Sequence, residues 1–153
     1  MLNVQLKENF QKGSSVSYFN SPFGKIGVGI GDDLRYHEYT SMLKKERCDL
    51  VLFPLCSNEF DESYHVILQG RALDNNIFIG ACCYYDMNTS NISNGNVCSC
   101  IVNPYGEIII KSYNQEGIIM GVVDLSKITE IEESIPTLIQ KRLDLYEIIS
   151  VNK

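Results

Sequence analysis

Residues Gly31 to Glu38 (GDDLRYHE) sit between a buried-strand pattern and a helical pattern. A strand-to-helix junction exposes one residue at the sheet edge, and the following helix offers unpaired N–H groups to an anion. A nucleophile placed there gains twice, because the same field lowers a thiol pKa and stabilises an oxyanion. Here the junction holds Gly31, which has no side chain to react. Taken alone, the residues favour a tight turn relieved by glycine. Asp32 and Asp33 then read as helix-start carboxylates, worth about 0.5 kcal/mol each.

The other reactive groups are thiols. Cys48, Cys56, Cys82, Cys83, Cys98 and Cys100 lie inside or beside apolar segments rather than at regular loop spacings. There is no CxxC, and His37 and His65 are the only histidines. A tetrahedral zinc set would need an unusual arrangement, so neither a metal nor a cofactor is expected. The thiols read as reduced and buried, behaving as small hydrophobes. Cys98-Ser99-Cys100 puts two of them on one strand face, a spacing that also suits redox or metal chemistry. Cys56, Cys82 and Cys83 should lie on or beside the same sheet. A thiol of pKa ~8.5 needs a positioned base to attack at neutral pH, and His65 is a candidate whose geometry the sequence does not set.

The elements that must position these groups can be read from periodicity. Lys25–Ile30, Asp49–Pro54 and Ile77–Cys83 are short, continuous apolar runs, the pattern of strands covered on both faces. Tyr36, Tyr39, Met42 and Leu43 repeat at helical spacing up to Arg47, with Lys44, Lys45 and Glu46 on the wet side. Tyr64, Ile67, Leu68 and Ala72 do the same within Glu59–Asn75. The order β-α-β-α-β predicts a layered α/β domain. After a polar stretch at 87–96, Val97–Val102 and Glu107–Ser112 read as a hairpin around the turn Asn103-Pro104-Tyr105-Gly106. Gly117–Asp124 reads as a further strand. Ser126 is placed to cap a short helix lined by Ile128, Ile131 and Ile135, which Pro136 limits.

Composition narrows the function classes. The chain has 153 residues, 44% apolar, with 13 basic against 19 acidic residues and a formal charge of −6. That suits one domain and lacks the basic footprint of a nucleic-acid binder. No apolar run approaches the ~20 residues needed to cross a bilayer. Met1 to Gly13 is polar, without the apolar centre of a signal peptide, so a soluble, cytoplasmic chain is expected. No repeat or linker divides it: 1–20 reads as a lead-in and 137–153 as an apolar tail that should dock on something.

The segment KIGVGIGDDLRYHEY resembles the nucleophile motif of the nitrilase, or carbon–nitrogen hydrolase, superfamily. The similarity continues through CDLVLFP, QGRALDNNIFIGA, VNPYGEII and IPTLIQKRLDLYE, the last being most like the omega-amidase branch. This resemblance implies the C-terminal half of a nitrilase-type α-β-β-α sandwich, a mixed sheet flanked by helices. It also implies hydrolysis of dicarboxylate ω-amides, such as α-ketoglutaramate, as the family activity.

Two departures set the functional expectation. Gly31 stands where the family has its cysteine, Asp32 where it has an aromatic and His37 where it often has proline, while Asp33, Leu34, Arg35, Tyr36 and Glu38 match. The family's catalytic glutamate and lysine lie earlier in its domain than the matched region and have no counterpart here. By the same resemblance, His65 occupies an accessory carboxylate position, and Asp33, Arg35, Glu38, Arg71 and Asn75 occupy positions that brace the site. The expectation is therefore a family member without an intact catalytic set. The alternative is an interaction subunit that pairs with an active family protomer or a complementing half. Half a sandwich would bare the inner face of its sheet, more apolar area than a monomer usually exposes. Self-association, or a nitrilase-family partner, through that face and the tail is expected.

Overall fold

A computed structural model of the chain describes residues 11, 13–55, 63–83, 99–112 and 116–136. Its centre is a six-stranded mixed sheet in the order β1-β2-β3-β4-β5-β6, formed by Ser17–Ser21, Gly24–Val28, Leu50–Leu55, Phe78–Cys83, Cys100–Val102 and Ile108–Lys111. β2, β3 and β4 are parallel, and the three continuous apolar runs form these strands. The flanking pairs β1·β2, β4·β5 and β5·β6 are antiparallel. This is the α/β class and mixed sheet expected from the sequence.

Two crossover helices, α1 (His37–Lys45) and α2 (Ser63–Asn75), return the chain between the parallel strands. Both end in the same way. Arg47 and Asn76 take positive φ (63° and 49°), Cys48 N–H reaches back to the Leu43 carbonyl, and Ile77 N–H reaches back to that of Ala72. Such left-handed caps satisfy carbonyls the helix would otherwise leave open. The strand register puts Val51, Phe53, Leu55, Ile79 and Ala81 on one face of the sheet, where they pack with Leu43, Leu68 and Ala72 of the helices. The hairpin turns at Asn103–Gly106 as expected, with Gly106 N–H donating to the Asn103 carbonyl and Gly106 at φ +78°. Gln69 Nε2 of α2 donates to the Gly106 carbonyl at 2.7 Å and ties the turn to the helix layer.

Several expectations are corrected. Residues 17–20 are not lead-in: Ser17–Ser21 is an edge strand hairpinned to β2, its turn held by Ser21 Oγ, which donates to the Gly24 carbonyl. In α1 the buried positions are Thr40, Leu43 and Lys44, whereas Tyr36 and Met42 are exposed. Lys44 is only 6% exposed because its ammonium reaches Glu132 at 2.6 Å and the Asn76 carbonyl at 3.2 Å. Gly117–Asp124 joins no ladder among the described residues, although its side chains alternate. α3 spans Ser126–Ser134, and Asp124 rather than Ser126 satisfies its start, its Oδ1 accepting from Ser126 N–H and Oγ–H. Ile128 and Ile131 are buried, but Ile135 is exposed. Cys48 and Cys100 are buried as expected, Cys83 is half-buried, and Cys82 is exposed. Cys56, Cys98, the stretch 87–96 and the tail 137–153 lie outside the described residues.

Candidate active site

Parallel strands place their C-terminal ends at one edge of a sheet, where the connecting turns can gather functional groups. β2 ends at Val28, and after Gly29 and Ile30 the chain turns into a short 3-10 helix, Gly31–Arg35, before α1 begins. Gly31 adopts φ +54°, the left-handed region that side-chain-bearing residues enter at a cost. A Cβ built on it would have no neighbour within 4 Å, so the position faces open space. Gly29, two residues earlier, is its opposite: a Cβ there would fall 2.3 Å from Phe53 Cε1. The turn thus combines a close backbone approach to the core with an open, left-handed residue at its crest.

The turn is held from three sides. Asp33 Oδ2 accepts the Ile30 N–H at 2.9 Å, and the Asp33 N–H donates to the Ile30 carbonyl at 3.1 Å. Leu34 is fully buried beneath it. Arg71, reaching across from α2, donates from Nε to the Leu34 carbonyl (3.1 Å) and from Nη2 to the Arg35 carbonyl (2.8 Å). Asn75 steadies that reach, donating from Nδ2 to the Arg71 carbonyl and accepting the Ser41 hydroxyl at 2.9 Å. Arg71 therefore grips backbone, and its fixed fork of donors suits two successive carbonyls.

Tyr64 is the residue the sequence did not single out. Its ring is buried, and its hydroxyl donates to the Gly31 carbonyl at 3.3 Å. Burial pushes the phenol pKa up to about 12, against the opposing pull of the Arg35 guanidinium, which lies 5.9 Å from the ring centroid. The hydroxyl therefore keeps its proton, as the bond to Gly31 requires. At sequence level Tyr64 is only one apolar position in a helical stripe. The signal that could have found it is the buried phenol itself, which needs a polar partner.

The structure brings Gly31, Asp33, Arg71 and Asn75 together, with the Arg35 carbonyl drawn in and its guanidinium outside. That guanidinium pairs with Asp32 at 3.4 Å, both side chains substantially exposed. Glu38 is also outside, 3.2 Å from His37 Nδ1 on the exposed start of α1. His65 is half-buried on α2, next to Tyr64 in sequence. Cys83, the last residue of β4, reaches the same sheet edge. Cys82 points to the opposite face of the sheet, away from the helices. Among the described residues, no three of His, Cys, Asp and Glu cluster to hold a metal ion, and no helix is long and apolar enough to cross a membrane.

The carbon–nitrogen hydrolase family model matches residues 3–133. The omega-amidase NIT2 of Bos taurus is 33% identical over 150 residues, covering 96% of this chain and 54% of the relative. That of Xenopus tropicalis is 35% identical over 150 residues, with the same coverage. The chain spans about half the length of the curated relatives it matches. The crystal structure of Saccharomyces cerevisiae Nit3, a member of branch 10 of the nitrilase superfamily, superposes with a TM-score of 0.75 at 22% identity. The superposition covers 89% of this chain and 50% of that one, a likeness of fold.

Proposed function

The chain belongs to the carbon–nitrogen hydrolase family, and from that premise we propose that it carries the nucleophile turn of an omega-amidase-type fold without a nucleophile. By this reading it does not hydrolyse amides on its own. The observation that carries it is Gly31: the crest of the turn is left-handed, open and held by Tyr64 and Arg71, yet it bears no side chain. Thiol-dependent hydrolysis needs a sulfur to attack the amide carbon, hold the acyl group as ammonia leaves, and release it to water. Glycine supplies no such atom. Loss of a nucleophile costs on the order of 10⁴ to 10⁶ in rate where it has been measured.

Two further features support the reading. Asp32 places an exposed carboxylate beside the crest, which disfavours a carboxylate-bearing substrate and is offset only in part by Arg35. Cys83 reaches the same edge but stands on a strand two places across the sheet from β2, about 10 Å away at ordinary strand spacing. The test is ammonia release from succinamate and α-ketoglutaramate by the purified chain, with and without thiol alkylation. Release at the uncatalysed rate in both arms is expected. Turnover that alkylation abolishes overturns the proposal.

A further inference from the structure

The last turn of α2, Arg71 to Asn75, is bonded towards both edges of the sheet. Towards one edge Arg71 donates to the Leu34 and Arg35 carbonyls of the turn after β2. Towards the other the helix closes at Asn76, whose φ is +49° and whose carbonyl accepts the Lys44 ammonium at 3.2 Å. Lys44 is held in turn by Glu132 of α3 at 2.6 Å. α3 lies at the edge where the parallel strands begin. Leu125, just before it, sits 2.8 Å from where a Cβ of Gly24 would stand, at the start of β2, and Ile128 and Ile131 are buried. Between the two sides stands Asn75, 3% exposed, accepting the Ser41 hydroxyl and donating to the Arg71 carbonyl.

We infer that the last turn of α2 couples the seating of α3 to the geometry of the Gly31–Arg35 turn. Helix ends fray, so this last turn has two arrangements, closed and opened. Closure needs Asn76 in the left-handed region, which costs a residue with a side chain free energy and persists only where its surroundings hold it. Lys44 is part of that hold. Its ammonium is only 6% exposed, and its acceptors are the Glu132 carboxylate and the Asn76 carbonyl. Without Glu132 a nearly buried charge is poorly compensated and favours arrangements that reach water, which weakens its hold on Asn76. Opening of the last turn then draws the Asn75 amide from the Arg71 carbonyl. Arg71 loses the fixed base from which its fork of donors reaches two successive carbonyls. The coupling is reciprocal: a seated α3 tightens the turn, and a gripped turn favours the seated α3. Whatever displaces α3 at one edge of the sheet is thereby registered at the other. This coupling goes beyond the catalytic proposal and does not depend on it.

The test is amide hydrogen exchange of the full chain, followed by NMR at the Asp33 and Tyr36 N–H groups, which donate to the Ile30 and Asp33 carbonyls within the turn. These should exchange faster than the ladder amides of β3 and β4, and so report local opening rather than unfolding of the whole chain. Glu132→Gln should speed them about fivefold or more, within the range such networks carry. Glu133→Gln, one residue on and exposed, should leave them unchanged. In an Asn75→Ala background, checked for folding by circular dichroism, the effect of Glu132→Gln should fall below about twofold, since both act through one network. Should that background misfold, Ser41→Ala, which removes the hydroxyl bonded to Asn75, takes its place with the same expectation. Turn amides that Glu132→Gln leaves unchanged, that Glu133→Gln speeds as much, or that respond in full in the folded background variant overturn the inference. So does a turn that exchanges only with the whole chain.

Discussion

The Tyr64 hydroxyl donates to the Gly31 carbonyl oxygen at 3.3 Å, joining the first turn of α2 to the crest of the turn that follows β2. Removing the hydroxyl breaks that bond. Tyr64→Phe keeps the buried ring and is expected to cost about 1 kcal/mol in urea unfolding. A loss below about 0.3 kcal/mol would mean the bond does not hold the turn.

The same phenol makes stability fall in alkali. Its pKa is pushed up to about 12 in the folded chain, chiefly by burial, while the unfolded chain loses the proton near 10. Between these values the folded state binds more protons, so its contribution is full below pH 10 and is lost as pH rises through 12. Two units correspond to at most about 3 kcal/mol. Burial also raises the Cys48 thiol, which extends the decline to lower pH, starting near its ordinary value of 9.0. Unfolding free energy measured from pH 8 to 11.5 should decrease steadily above 9, and less steeply in Tyr64→Phe.

Two glycines two residues apart should respond differently to the same substitution. Gly31→Ala meets open space and pays only for its left-handed backbone, about 1–2 kcal/mol. Gly29→Ala drives a methyl into Phe53, which is fully buried and has little room to yield, so its cost should reach about 3 kcal/mol or more. Paired denaturation curves decide the order.

Lys44 and Glu132 should be unequal partners. Glu132→Ala leaves a nearly buried ammonium with the Asn76 carbonyl, and about 1–2 kcal/mol should be lost, moderated because Glu132 is 43% exposed. Lys44→Met removes the charge itself and should cost less. Thermal melts of both variants, and of the pair, give the coupling.

Much of this fold is written in local pattern. The runs around Ile26, Val51 and Ile79 are continuous because β2, β3 and β4 are internal parallel strands, and Asn103 with Gly106 specifies the hairpin turn. What stayed hidden depends on distant partners. Lys44 reads as solvated because its counter-charge, Glu132, lies far along the chain. Gly117–Asp124 has strand periodicity, but period alone cannot supply a neighbouring strand. Ser17–Ser21 carries an aromatic–polar alternation too short to mark an edge strand by pattern alone. At the turn, sequence found Gly31 and the Arg71–Asn75 stretch. It missed Tyr64, since a helical stripe weighs a tyrosine by its ring and says nothing of where its hydroxyl points.

On the function proposed above, no residue of this chain takes the acyl group of an amide. Acid-quenched intact-mass spectrometry after incubation with succinamate addresses it directly. An unchanged chain mass at every time point is expected. A succinyl adduct mapped to Cys82, Cys83 or any other side chain would contradict it.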